Sequence, residues 1–274
     1  MRRCLIAGCG DVGTRLGLRL AAAGVEVHGI TRASTLPAPL VTHHADLTAG
    51  RLSLPAMPAF DALVYLPAPA RRDEATYRAL YLDGPARLLE ALPAPPPRLV
   101  FVTSTAVYGE DAGGWVDEST APDPQAWNGR VLWQAEQALR ARAPDAVVLR
   151  LAGLYGPGRE MLVARVRAGV AGSSGRWTNR IHVDDAAAAA LHVLRLPAPD
   201  PLYVVADGHP ATEAEVMQWL AGRLGLAPVA AQVEAPSGRR VRTARLAASG
   251  FACAYPDFRA GYAALLDAAA LTRN

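Results

Sequence analysis

Cys4-Leu5-Ile6-Ala7-Gly8-Cys9-Gly10-Asp11-Val12-Gly13 is the stretch whose reading decides the fold. Cys4 to Ala7 is a short apolar run bounded by glycine, which reads as a buried strand. From Asp11 to Ala23 the apolar residues Leu16, Leu20 and Ala23 share one helical face, and Gly24 closes the helix. Between them lies G-x-G-x-x-G. That spacing alone is common, but directly after a strand and at the opening of a helix it is a phosphate-binding turn. Gly8 allows the tight turn, Gly10 lets backbone approach a pyrophosphate, and Gly13 lets helix and strand pack closely. The free amides at the helix start, over Asp11 and Val12, then face the anion.

Outward from this turn, short apolar runs alternate with helical patterns. Strands are expected at Val25 to Thr31, Val41 to Ala45, and Ala62 to Leu66, the last stopped by Pro67 and Pro69. A long helix over Arg72 to Leu92 carries an internal Gly84-Pro85 that kinks it. A stiff Pro93-Ala94-Pro95-Pro96-Pro97 connector leads to a strand at Leu99 to Thr103. A helix over Trp127 to Arg142 and a strand at Ala146 to Leu151 complete the series. Repeated βα units predict an α/β fold with a Rossmann-type doubly wound parallel sheet over residues 1–151. After that the elements shorten: a glycine-rich loop at Gly153 to Arg159, helices at Glu160 to Ala168 and Val183 to Leu194, a strand at Leu202 to Val205, and a helix at Thr212 to Leu224. A helical tail from Arg245 to Leu271 is interrupted at Pro256. Residues 152–274 are therefore expected to form mainly a small C-terminal substrate lobe, with some elements returning to the Rossmann domain.

Composition excludes several classes. Of 274 residues, 51% are hydrophobic and 19% charged, enough apolar content for a substantial core and against global disorder. The net charge of +3 is spread as scattered arginines rather than as a basic stripe, against nucleic acid. Three cysteines, Cys4, Cys9 and Cys253, lack metal-ligand spacing and fit a reducing compartment. Asp11, Arg15 and Arg19 end the N-terminal apolar run too soon for a signal peptide, and nothing offers a membrane span. A cytoplasmic protein acting on a small molecule is expected, with no metal. All 28 basic residues are arginine; the chain has no lysine.

The end of the second expected strand reads Gly29-Ile30-Thr31-Arg32, without the acid that accepts from an NAD ribose. Arg32 suits a 2′-phosphate, so NADP(H) is favoured over NAD(H); a solvated arginine at a strand end is the other reading.

Several further motifs carry a resemblance. They are Ser104-Thr105-Ala106-Val107-Tyr108-Gly109, Glu118, Leu149 to Arg159 with Tyr155-Gly156-Pro157-Gly158-Arg159, Asn179-Arg180-Ile181-His182-Val183-Asp184-Asp185-Ala186, and Leu246 to Tyr262. With the glycine turn they span nearly the whole chain. The chain resembles the extended short-chain dehydrogenase/reductase superfamily, in its NAD-dependent epimerase/dehydratase group and the atypical bacterial YeeZ-like branch. The resemblance implies that Asp46-Leu47 borders the adenine and that Leu66-Pro67-Ala68 borders the ribose and pyrophosphate. It implies Ser104 as hydrogen-bond donor to a substrate oxygen, and a homodimer through the helices at Arg72 to Leu92 and Trp127 to Arg142.

The resemblance also implies a Tyr followed four residues later by a Lys, the Lys lowering the Tyr pKa and orienting the nicotinamide ribose. The chain departs here. Counting back from Glu136 puts Leu132 at the Lys position and Asn128 at the Tyr position, and no lysine exists to rescue another register. Three readings follow: a rearranged acid at Tyr155 or Tyr108 with charge from Arg130 or Arg159; a silent NADP(H) sensor or scaffold; or a reductase whose substrate takes its proton from solvent. Tyr108 is more often structural than catalytic in this motif, and Ser104 also reads as a strand-end cap. Arg159 reads as a clamp for an acidic substrate or as a surface ion pair with Glu160. Trp177 and Asn179 read as cleft lining, with a packed Trp177 as the alternative. His182 reads as a buried structural histidine, Asp184 and Asp185 as helix caps, and Cys9 as a small turn residue exposed enough to oxidise.

Overall fold

A computed structural model describes residues 1–228 and 230–271. The chain divides into two compact units. The first comprises Met1–Gly109, Pro122–Arg150 and Ala187–Tyr203; the second comprises Glu110–Ala121, Leu151–Ala186 and Val204 onward.

The first unit is built on a seven-stranded sheet. Strands β1 (Arg3–Ala7), β2 (Glu26–Thr31), β3 (Val41–His44), β4 (Ala62–Tyr65) and β5 (Arg98–Ser104) lie in the order 3-2-1-4-5, each of these pairs parallel. Strands Val147–Leu151 and Leu202–Val205 extend the sheet beyond β5. Strand order reverses between β1 and β4, which opens a crevice at their carboxyl ends. Cys4 to Ala7 and Ala62 to Tyr65 are buried along their whole length, as strands covered on both faces must be. Helix α1 (Asp11–Ala22) covers one face with Leu16 and Leu20 fully buried.

The single kinked helix expected over Arg72 to Leu92 is instead three segments: α-helix Glu74–Tyr77, π-helix Arg78–Asp83 and α-helix Gly84–Ala91. Pro85 explains the change. It has no N–H to give the carbonyl four residues back, and its ring crowds that carbonyl, so the ladder widens by one residue. Side chains take up the freed carbonyls. Tyr65 Oη donates to the Leu80 carbonyl at 2.5 Å and Arg87 Nη2 to that of Ala79 at 2.6 Å, the same nitrogen reaching the Leu47 carbonyl in a distant loop at 3.3 Å. A Cβ on Gly84 would lie 2.3 Å from Tyr65 Oη, so only glycine admits this contact.

In the second unit, strands Ala211–Thr212, Arg176–Thr178, Ser237–Val241 and Ala112–Val116 form a four-stranded sheet in that order. Helices Met161–Arg167, Glu213–Arg223 and Phe258–Leu271 close around Val163, Val216, Met217, Leu220, Phe258 and Tyr262. The expected helical tail is two helices, Ala244–Ala248 and Phe258–Leu271, with Pro256 in the connection.

Candidate functional site

The glycine turn is shaped by three different constraints. Gly8 has φ +84°, and a Cβ there would fall 2.3 Å from Pro67 Cα, so backbone meets backbone across the switch point. The Gly8 and Cys9 amides donate to the Ile30 carbonyl at 3.1 and 2.8 Å, tying the turn to the end of β2. A Cβ on Gly13 would meet Ile6 Cγ2 at 3.2 Å, so α1 lies close on β1. Gly10 differs: nothing lies within 4 Å of where its Cβ would point. Gly10 is also the N-cap of α1 and supplies no side-chain cap. Among the described residues no acceptor faces the amides of Val12 and Gly13. An uncapped helix start beside open space could hold an anion. The Asp11 carboxylate is turned to Arg15 Nε, 2.7 Å away.

Pro67 is held in place from behind. Tyr81, inside the π segment, donates its hydroxyl to the Pro67 carbonyl at 2.9 Å, and the Leu66 amide donates to Ala7 O at 2.9 Å. The π segment thus fixes the residue that closes the glycine turn. Ala68, just beyond, is exposed. At the neighbouring edge Arg32 is exposed, and Leu47 is buried. The Asp46 carboxylate accepts from the Thr48 hydroxyl and amide at 2.7 and 2.9 Å. Those bonds, and then the nearby charges of Arg32 and Arg87, hold its pKa below the ordinary carboxylate range.

At the end of β5, Ser104 Oγ accepts from the Ala106 amide at 3.2 Å and caps the short 3-10 turn Thr105–Val107. Beneath it lies a buried polar cluster. Arg150 donates from Nε and Nη2 to the two carboxylate oxygens of Glu136 at 3.1 and 2.7 Å, and from Nη1 to Tyr108 Oη at 2.9 Å. Thr103 Oγ1 completes it, donating to Glu136 Oε1 at 2.7 Å. Burial opposes the Arg150 charge, but the Glu136 bonds outweigh it and raise the guanidinium pKa. Tyr108 is 1% exposed, its hydroxyl engaged by this arginine. On the helix Trp127–Arg142, Leu132 is buried, and Gly129 lets the helix close on Ala106, whose carbonyl would lie 2.3 Å from a Cβ. Arg130 is turned to the Gln125 carbonyl at 2.5 Å.

In the second unit, Tyr155 is 3% exposed and donates to the Asp257 carbonyl at 3.3 Å, between the rings of Tyr262 and His182. Burial, then the charges of Asp207 and its neighbours, pushes its phenol pKa up. Asp207 Oδ1 accepts from the His209 amide at 2.9 Å, while its buried Oδ2 has no partner among the described residues; burial raises its pKa to about 6. Arg159 is exposed on its loop, its amide closing a turn onto Gly156 O at 3.0 Å. Asn179 spends its amide on backbone, donating to Arg239 O and accepting from Val241 N, each at 2.8 Å. Trp177 stacks with Arg240.

Two of the expected roles change. Asp185 does not cap its helix: its two oxygens accept from the Ala254 and Tyr255 amides at 2.8 and 2.9 Å and anchor the C-terminal loop. Cys9 is 2% exposed, with burial raising its thiol pKa to about 11, so it is not open to oxidation. His182 is buried, its Nδ1 accepting from the Asp184 amide at 3.2 Å. The residues that sequence reasoning left without a role are Tyr65, Tyr81, Thr103, Glu136 and Arg150. Gly84-Pro85 was the available signal for the first two. A groove of about 450 Å³ lined by Leu89, Pro95 to Pro97 and Leu99 sits at the opposite, strand-starting end of the sheet, away from these groups.

Residues 4–206 match the NAD dependent epimerase/dehydratase family. The chain is 33% identical to Protein YeeZ of Escherichia coli K12, the match covering 94% of this chain and 97% of that protein. It is similar in structure to a Methylobacillus flagellatus protein provisionally described as an NAD-dependent epimerase/dehydratase, with a TM-score of 0.82 and 34% identity over 100% and 99% of the two chains. The human epimerase family protein SDR39U1, solved with NADPH, shares the fold at a TM-score of 0.74 and 24% identity, over 97% and 99% of the chains. Among the described residues no helix is long and apolar enough to cross a membrane.

Proposed function

The chain belongs to the NAD-dependent epimerase/dehydratase family, and from that premise we propose that its first unit binds NADP(H) on the glycine turn and serves hydride transfer with a small carbonyl or alcohol substrate. One observation carries the binding reading: Gly8 closes on Pro67 while the Cβ direction of Gly10, at the uncapped start of α1, is open. The Val12 and Gly13 amides would take the pyrophosphate, and Leu66 to Ala68 would border it. Exposed Arg32 at the end of β2, where the sequence reads Gly29-Ile30-Thr31-Arg32 without an acid, favours the 2′-phosphate.

When bound, the nicotinamide supplies or takes the hydride. Ser104 would donate its hydroxyl to the substrate oxygen while its Oγ still accepts from the Ala106 amide. The proton does not travel through the family's Tyr-Lys pair, since Asn128 and buried Leu132 occupy those positions. Proton delivery from solvent or from the substrate is consistent with the engaged Tyr108 and buried Tyr155. The same engagement favours a second reading, a dinucleotide sensor without turnover.

Arg32→Glu tests the cofactor assignment. It is expected to weaken NADPH about tenfold or more relative to NADH, as loss of one charge-assisted phosphate contact should. Equal weakening of both, or of neither, contradicts the role of Arg32. A carbonyl screen with NADPH then separates the readings: oxidation of NADPH supports the reductase, and binding without oxidation across the screen supports the sensor.

A further inference from the structure

On one face of the four-stranded sheet in the second unit, three strands build a stack of cations and indoles. Arg240 and Trp115 are register partners on neighbouring strands, so their side chains share a face. Trp177 is the register partner of Gly238, and although the register shifts between Gly238 and Arg240, its ring lies against the Arg240 guanidinium and so on that face too. Gly238 offers no side chain there, and a Cβ on Gly113 would meet the Trp177 indole at 3.0 Å, so two glycines leave the room that the indole fills. Arg240 Cζ sits 4.8 Å from the Trp177 ring centre and 5.0 Å from that of Trp115; Arg242 Cζ lies 5.0 Å from Trp115.

Two features separate this face from ordinary charged surface. Among the described residues neither Arg240 nor Arg242 has a carboxylate partner, and Arg240 Nε donates instead to the Gly113 carbonyl at 2.7 Å, which sets the guanidinium plane. By contrast Arg165, Arg223 and Arg259 of the same unit meet Glu213, Asp267 and Glu215 at 2.6, 2.9 and 2.7 Å. Trp115 is 42% exposed, an apolar area left to water on a rigid strand. Tryptophan and arginine dominate the centres of protein interfaces, and stacking on an indole pre-orders a guanidinium so that less entropy is lost on binding.

We propose that the Trp115, Arg240, Trp177 and Arg242 face docks an acidic, extended polypeptide segment of a partner protein. Charge complementarity and spacing identify the occupant. The Arg242 amide donates to Val116 O at 2.9 Å, so the strand geometry continues through it. Arg240 and Arg242 are then alternate residues of one strand, about 6.6 Å apart along the chain, the repeat of carboxylates at alternate positions of an extended segment. Each carboxylate takes the outer edge of a guanidinium, and an intervening apolar side chain covers Trp115. This assignment stands apart from the dinucleotide reading.

The test is fluorescence anisotropy of the full chain with a labelled decapeptide of alternating Glu and Tyr. The expected result is salt-sensitive binding that Arg242→Glu and Trp115→Ala each weaken about tenfold or more. The Gln-Tyr peptide of the same length should not bind, and NADPH affinity should be unchanged in both variants. Both side chains are exposed, so the variants keep the fold. Absence of peptide binding, or binding that neither variant alters, overturns the proposal. Tighter binding of a ten-nucleotide oligo-dT than of the Glu-Tyr peptide also overturns it, assigning the face to single-stranded nucleic acid.

Discussion

The glycine turn and the helix Trp127–Arg142 are the two parts of the first unit to which the resemblance assigns cofactor binding and the proton relay, and they are built in opposite ways. The turn is built around space: Gly8 abuts Pro67, yet nothing occupies the Cβ direction of Gly10, and the start of α1 has no side-chain cap. The helix has been filled. Leu132, the position to which the resemblance assigns the relay lysine, is buried, and Glu136 is drawn into a buried pair with Arg150 that also engages Tyr108. A site made of backbone amides needs only glycines and a helix start. A proton relay needs two particular side chains and is lost when either is replaced. On the proposed reading, binding and proton transfer are separable in this fold, since the chain has the glycine turn and no lysine.

Arg150→Met attacks the filled side hardest. It leaves the Glu136 carboxylate buried without its partner and is expected to cost about 3–5 kcal/mol in denaturant unfolding, whereas Glu136→Leu with Arg150→Met together recovers most of that loss. A single-variant cost below about 1 kcal/mol would mean that the pair does not hold the helix. Leu132→Lys asks whether the relay can be restored piecemeal. The ammonium enters an apolar site, so stability should fall by about 2–3 kcal/mol, with no gain in NADPH oxidation because Asn128 supplies no acid. A gain in turnover would show that the lysine alone was missing. Gly10→Ala has the smallest expected effect and sharpens the other side. Its methyl meets no protein atom, so the free protein should melt within about 1 kcal/mol of the parent while dinucleotide affinity falls about tenfold. Unchanged affinity would mean that no phosphate approaches Gly10.

Much of the parallel sheet was legible because its signals are local. The strand–turn–helix at Cys4 to Ala22, the helix Trp127–Arg142 and the strand Leu202–Val205 follow from apolar runs, periodicity and punctuation. The π segment was visible only as a kink at Gly84-Pro85, since its geometry depends on Tyr65 and Arg87 capping freed carbonyls from elsewhere. The strands of the four-stranded sheet in the second unit carry no local signal. Arg176–Thr178 and Ser237–Val241 are short, rich in Arg or Gly, and lack clean alternation, so only their tertiary pairing makes them strands. At the candidate site the glycines were readable from spacing, but Glu136 and Arg150 stand on different elements, and no local pattern announces that they meet. Asp185 looked like a helix cap for the same reason: its partners, the Ala254 and Tyr255 amides, lie about seventy residues away in the chain.

The most direct test of the central claim is calorimetric titration of the full chain with NADPH, NADP⁺, NADH and NAD⁺. Saturable binding of NADPH or NADP⁺, tighter than its unphosphorylated counterpart, is the predicted result. Absence of heat with all four would contradict the account, because a glycine turn that is open yet binds none of them would be inherited scaffold alone.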